Sequence, residues 1–188
     1  MTIFDARKGC RLAGRRVVFD TNVWISLEGF DPRPDESEMY STFFNEIRNS
    51  DNVIVVTDYI LGEFFNRCCK IEYEMRRKSF EETAQNGEKF SHYKKYRKSS
   101  EFKDYMETMI DVCETIVADG EYEAVNGAQV DIGDVISEAA SGLIDFSDIM
   151  LREHCRDKGY VIVSHDADFA NCGLDFVTAN PRILSAAR

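Results

Sequence analysis

The chain has 188 residues, 44% of them hydrophobic, and only three prolines. That length suits one domain with a sizeable core, and that composition excludes a disordered chain. A net charge of −11 argues against a surface coated with nonspecific nucleic-acid contacts.

The N-terminal segment MTIFDARKGCRLAGRR has no apolar h-region, so no signal peptide is expected. No apolar run approaches the roughly 20 residues of a membrane span. Arg16–Phe19 reads as the first strand, followed by a short helix near Asn22–Glu28. DPRPDESE turns the chain, and Asp35 or Ser37 can cap a helix running to about Asn49. Val53–Val56 is the β-branched run of a buried parallel strand. Thr57 or Asp58 can cap the next helix, where Ile60 and Phe64 share a face. Residues 64–118 read as long helices with a break near Gln85–Gly87. A short helix is expected over Asp131–Ala140. Another, over Asp145–Lys158, would be capped by Asp145 or Ser147 and closed by Gly159. Tyr160–Val163 is a strand, Asp166–Asn171 a helical turn, Leu174–Val177 a final strand, and ANPRILSA a tail.

Strands alternating with helices predict a mostly parallel sheet with helices on both faces. Six cysteines (Cys10, Cys68, Cys69, Cys113, Cys155, Cys172) show no CxxC and no zinc spacing. They read as free thiols in a reducing cytoplasm.

Four acids sit just past apolar runs: Asp20 in RRVVFDTNVW, Glu63 in VIVVTDYILGEFFNR, Asp148 in GLIDFSDIML and Asp166 in YVIVSHDADF. Ligand groups collect outside the carboxyl ends of parallel strands. Carboxylates gathered there repel one another, and a hard divalent cation relieves that repulsion. Each acid also has a bland reading. Asp20 can cap the following helix, Glu63 can point outward, and Asp148 can be the acid of a capping box. Asp145 reads as a cap or as a neighbour supporting the ligands. Asp166 and Asp168 form D-x-D, a spacing suited to an oxygen-liganded cation. Ser164 can hydrogen-bond a carboxylate, and His165 reads as a surface residue.

Taken in order, these blocks resemble the PIN-domain nuclease family. VVFDTNVWIS matches its first strand ending in Asp. VVTDYILGEFFNR matches its strand leading into a Glu-bearing helix. DFSDIMLREHC matches its later helix opening on Asp, and KGYVIVSHDADF its Gly, strand and D-x-D-F. The blocks span residues 16 to about 170.

The resemblance implies a single PIN-like domain over residues 1–188: a three-layer α/β/α sandwich enlarged by a helical insert at about 64–130. It implies Asp20, Glu63, Asp148 and Asp166 as catalytic and metal-binding residues, with Mg²⁺ or Mn²⁺ as cofactor. Asp168, Asn22, Thr21, Ser164 and Asp145 would assist. The implied activity is endonucleolytic hydrolysis of RNA. RNA, an antitoxin-like protein and a second copy of the chain are the partners it suggests. The stretch between Glu63 and Asp148 is longer than in compact members such as toxins of toxin–antitoxin pairs. That departure bears on substrate and toxin role rather than on fold.

From Arg67 to Lys103, eleven Lys/Arg stand against six Glu, a local +5, so the rest of the chain carries −16. Lys94, Lys95, Arg97 and Lys98 lie among Tyr93, Tyr96 and Phe102 and are candidate RNA contacts. The competing reading is a solvated face with the aromatics turned inward. A haloacid-dehalogenase-like phosphatase would need Asp where Asn22 stands. A structure-specific DNA nuclease of related fold and a catalytically silent PIN-like partner-binding module are the remaining alternatives.

Overall fold

The computed structural model describes residues 2–30, 34–82, 92–125 and 130–187, with the side chains of 34–38 and 80–82 left aside. Six strands form one sheet: β1 (Ile3–Asp5), β2 (Arg16–Phe19), β3 (Val53–Thr57), β4 (Glu121–Glu123), β5 (Val161–Val163) and β6 (Phe176–Thr178). Their order is β1-β6-β5-β2-β3-β4, and every pairing is parallel. Among the described residues eight α-helices complete the fold: α1 (Thr21–Leu27), α2 (Pro34–Arg48), α3 (Asp58–Glu82), α4 (Tyr93–Tyr96), α5 (Ser100–Ala118), α6 (Ile132–Ala139), α7 (Phe146–Lys158) and α8 (Pro181–Ala186). The architecture is the three-layer α/β/α sandwich. Among the described residues no helix is long and apolar enough to cross a membrane.

The central strands follow from their composition. Val17, Val18, Val55, Val56, Val161, Ile162 and Val163 are all fully buried, as a sheet covered on both faces requires. The aromatic side chains of Phe19, Trp24, Phe43 and Phe44 pack beside them, Phe44 meeting Phe19 and Trp24 edge-on with centroids 5.5 Å apart. Helix starts use the expected chemistry. Thr57 Oγ1 accepts the Ile60 amide at 3.3 Å, and Asp131 accepts the Gly133 amide at 2.8 Å. Gly159 closes α7 in the left-handed conformation, φ 67°.

Several elements differ from the sequence reading. The segment expected to be an insert contains β4, which pairs with β3. The long helices α3 and α5 therefore form the crossover from β3 to β4, and Met109 and Ile116 of α5 belong to the main core. Gly120 sits where that crossover meets β3; a Cβ there would lie 2.7 Å from the Ile54 carbonyl oxygen. The strands β1 and β4 have three residues each, too few for a legible pattern. The expected tail is α8, with Pro181 at its start and Asn180 capping it through the Arg182 amide at 3.0 Å. Helix α2 starts at Pro34, ahead of both Asp35 and Ser37. The break expected near Gln85–Gly87 lies outside the described residues.

Candidate functional site

Strand order places a crevice at one point. From β2 the chain moves outward to β3 and β4, then returns to lay β5 against the other side of β2. Ligand sites of open parallel sheets form at such a reversal, beyond the strand carboxyl ends. Phe19 pairs with Val163, so Asp20 and Ser164 leave the sheet side by side. The Asp20 amide donates to the Val163 carbonyl at 2.9 Å.

Asp20 is 5% exposed and held from three directions. Its Oδ1 accepts the Thr21 amide at 2.6 Å, and its Oδ2 accepts the Ser164 hydroxyl at 2.6 Å and the Asn22 side-chain amide. Ser164 Oγ in turn accepts from Asn22 Nδ2 at 3.0 Å and from the Asp166 amide at 2.9 Å. Asn22 Oδ1 accepts the His165 amide at 3.1 Å. Asp20 thus serves as the α1 cap and also as the hub of a network joining β2 to the loop after β5.

Glu63 is half-buried on the second turn of α3. Thr21 Oγ1 donates to its Oε2 at 3.1 Å, and Arg67 Nη1 to its Oε1 at 3.2 Å. Thr21 therefore bridges the two acids, its amide donating to Asp20 and its hydroxyl to Glu63. Arg67 was not singled out by the sequence reading, although its i,i+4 spacing from Glu63 made it legible.

Helix α7 brings Asp145 and Asp148. Asp145 occupies the N-cap position but makes no side-chain capping bond. The Asp148 carboxylate receives no hydrogen bond among the described residues. The capping-box alternative for Asp148 is not taken up. Neither acid is needed to hold its helix, and both add negative charge at the helix start, where the macrodipole tolerates it.

Asp166 and Asp168 are exposed on the 3₁₀ turn after β5. Asp166 caps that turn, its Oδ1 accepting the Asp168 amide at 3.3 Å. His165 is half-buried rather than superficial. Its Nδ1 lies 3.2 Å from the hydroxyl of fully buried Tyr40, which also accepts the Ala179 amide at 3.0 Å. Tyr40 buttresses the loop from α2, and nothing in the sequence around it announced that role.

The electrostatics tie the acids together. Burial pushes the Asp20 carboxyl up to about 6; the Glu63 charge adds to the rise, while the Ser164 and Thr21 hydrogen bonds oppose it. Burial pushes Asp148 up to about 7, reinforced by the charges of Asp20, Glu63, Asp145 and Asp168. Asp168 is raised by burial, then by Asp166 and Asp145. Asp148 is therefore the centre of the acidic group. Of the D-x-D pair, Asp168 is the member whose charge registers at Asp148, and Asp166 acts on Asp168.

Among the described residues, no group of three or more His, Cys, Asp or Glu side chains is arranged to hold a metal ion. The acids share a field without converging on one coordination shell. Their chemistry still fits a hard cation by donor type, since every candidate ligand is a carboxylate oxygen. The carboxyls of Asp20 and Asp148, raised by burial and by acid neighbours, are what a bound cation would relieve. A scan against protein-family models finds no match, and a search of curated proteins finds none either.

Proposed function

We propose that this chain is a Mg²⁺- or Mn²⁺-dependent ribonuclease of the PIN type. In this reading it hydrolyses phosphodiester bonds in RNA at the crevice between β2 and β5. One observation carries the reading: Asp20 and Asp148 are drawn out of solvent at the switch point with acids as neighbours, and Asp148 has no structural bond to explain its place. Strained charge of this kind is a mark of functional sites.

Asp20 and Asp148 would hold the cation most directly, with Glu63, Asp166 and Asp168 completing its surroundings. The chemistry such a cation supplies when bound is acidification of water and neutralisation of phosphate charge. Ser164, donating to Asp20 Oδ2, and Asn22, bridging Ser164 to the loop, fix the orientation of the Asp20 carboxylate. Thr21 does the same for Glu63 Oε2. The Asp148 carboxyl, pushed up to about 7 by burial and by its acid neighbours, would have to lose its proton to hold a cation. Because the acids are not yet converged, substrate phosphate and cation would assemble the site together, and metal affinity without substrate would be weak. The free thiols support a reducing, cytoplasmic setting.

A second reading is a PIN-like module that binds partners without turnover. The absence of a converged ligand group among the described residues favours it. Incubating single-stranded RNA, structured RNA and flapped DNA with Mg²⁺, Mn²⁺ or EDTA separates the readings. Metal-dependent RNA cleavage lost in Asp20→Asn supports the nuclease. Flap cleavage alone favours the DNA enzyme, and intact nucleic acid in every lane sinks catalysis.

A further inference from the structure

Helix α3 carries both an acid of the crevice and a line of cations leading away from it. Glu63, Arg67 and Lys70 recur at i, i+4 and i+7 and share one face. Lys70 is exposed, and Arg67 is half exposed. About ten residues beyond Glu63, or roughly 15 Å along the axis, α4 lies against α3. The contact is aromatic: Tyr73 of α3 meets Tyr93 and Tyr96 of α4 at centroid distances of 5.4 and 5.8 Å, and Tyr96 meets Phe102 at 5.4 Å.

This packing consumes the aromatics. Tyr96 is fully buried, Phe102 nearly so, and Tyr93 is half-buried under the Arg97 guanidinium, 5.9 Å from its ring. Helix α4 is a single turn, so Lys94 and Lys98 do not share a continuous helical face. The cations of this segment, Lys94, Arg97 and Lys98, are all exposed. Lys70, Lys94 and Lys98 have no acidic partner among the described residues. Acids do stand nearby, Glu72 bound to Arg76 and to the Tyr96 hydroxyl and exposed Glu74 next along the same face of α3, but none of them pairs with these three lysines among the described residues.

We infer that Arg67, Lys70, Lys94, Arg97 and Lys98 form a track for the phosphate backbone of single-stranded RNA, leading to the crevice at Glu63. With the rings turned inward, the track contacts phosphates and reads no bases. Binding along it is independent of nucleotide sequence and strongly dependent on salt. A single strand fits better than a duplex, because Asp20 is buried and only a flexible backbone can descend to it. The inference rests on the nuclease reading for what is cut, not for what is bound.

The test is fluorescence anisotropy with a labelled oligo(U) 20-mer in EDTA, titrated at several salt concentrations. The triple charge reversal Lys70→Glu, Lys94→Glu, Lys98→Glu is compared with an equal reversal at Lys8, Arg11 and Arg182, exposed cations outside α3–α5. The track variant is expected to bind at least about tenfold more weakly. It should also flatten the slope of log K against log salt by about 2, near 0.7 for each lost contact. The distant variant keeps both, and thermal melting confirms that each folds. Equal losses in the two variants, or none in the track variant, overturn the track. Tighter binding of a 20-base-pair duplex than of the single strand also overturns it. Because these measurements exclude metal, they judge the track independently of whether Asp20→Asn abolishes cleavage.

Discussion

Two half-buried polar clusters in this molecule treat their carboxylates in opposite ways. One joins β2, β4, β5 and α7 around Glu123. The Tyr160 hydroxyl donates to Glu123 Oε2 at 2.8 Å, Lys158 Nζ lies 3.7 Å from Oε1, and Arg16 lies 3.9 Å away while binding Glu121 at 2.8 Å. His154 Nε2 is 3.3 Å from Glu123 Oε1, without hydrogen-bond geometry, and burial lowers its pKa. Cations and donors there surround the acids. In the crevice Asp20 and Glu63 accept hydrogen bonds, but Asp148 accepts none among the described residues and its charged neighbours are acids, while Arg67, already paired with Glu63, is a cation that lowers Asp20. A carboxylate that holds a fold is compensated by it; Asp148 is not.

The largest effects expected from this contrast are on chemistry. Asp20→Asn and Asp148→Asn are each expected to reduce metal-dependent RNA cleavage more than about 100-fold, while Glu123→Gln leaves it within about twofold. Initial rates on one RNA substrate measure all three. A Glu123→Gln loss as large as that of Asp148→Asn would erase the distinction between the clusters.

Stability should move the other way. Above pH 7 the ionised Asp148 is repelled by its neighbours, so Asp148→Asn is expected to raise Tm at pH 8 by about 2–4 °C, the shift of roughly 1 kcal/mol in a chain this size. Glu123→Gln removes the acid beside Lys158 and the buried His154 while Arg16 keeps Glu121, and is expected to lower Tm by a similar amount or less. Scanning calorimetry at pH 8 gives both signs. A fall in Tm for Asp148→Asn would mean that its carboxylate stabilises the fold.

The pH dependence follows from linkage. Asp20 and Asp148 have folded pKa values of about 6 and about 7, above those of the unfolded chain. Between about pH 4 and 7 the folded state therefore binds more protons, and these two groups make stability fall as pH rises. Mg²⁺ affinity should run the opposite way, rising from pH 6 to 8 as fewer protons must be displaced. Tm with and without 10 mM Mg²⁺ across that range tests it; a metal-induced shift equal at pH 5.5 and 8 would exclude these carboxyls as ligands.

The acids of the crevice were legible in the sequence; the Glu123 cluster was not, because it depends on β4, and what else was hidden has a physical cause. Asp20, Glu63 and Asp148 stood out because each follows an apolar run; the runs before Asp20 and Glu63 are largely buried, Leu143 before Asp148 is 82% exposed, and the strands ending at Phe19 and Val163 are neighbours. The relative weight of Asp166 and Asp168 was hidden, because two residues apart on a turn the choice depends on which side chain caps the backbone. Tyr40 was hidden too, since its partners Ala179 and His165 are more than 120 residues away. The strands β1 and β4 carry no pattern of their own and exist by pairing with β6 and β3.

The smallest expected effect sits where the two kinds of charge meet. Arg67 pairs with Glu63 across one helical turn, with side chains 50% and 31% exposed, a geometry worth about 0.3–0.5 kcal/mol. Arg67→Met should therefore change Tm by no more than about 2 °C. It also removes the cation that holds down the Asp20 pKa, and frees Glu63 Oε1. Mg²⁺ affinity at pH 8 is then expected to rise a few-fold, because a divalent ion no longer competes with a guanidinium for the same carboxylate. Isothermal titration of the variant against wild type decides it. Unchanged affinity would mean that Glu63 lies outside the field a cation feels, and the crevice would shrink to Asp20, Asp148 and the loop acids.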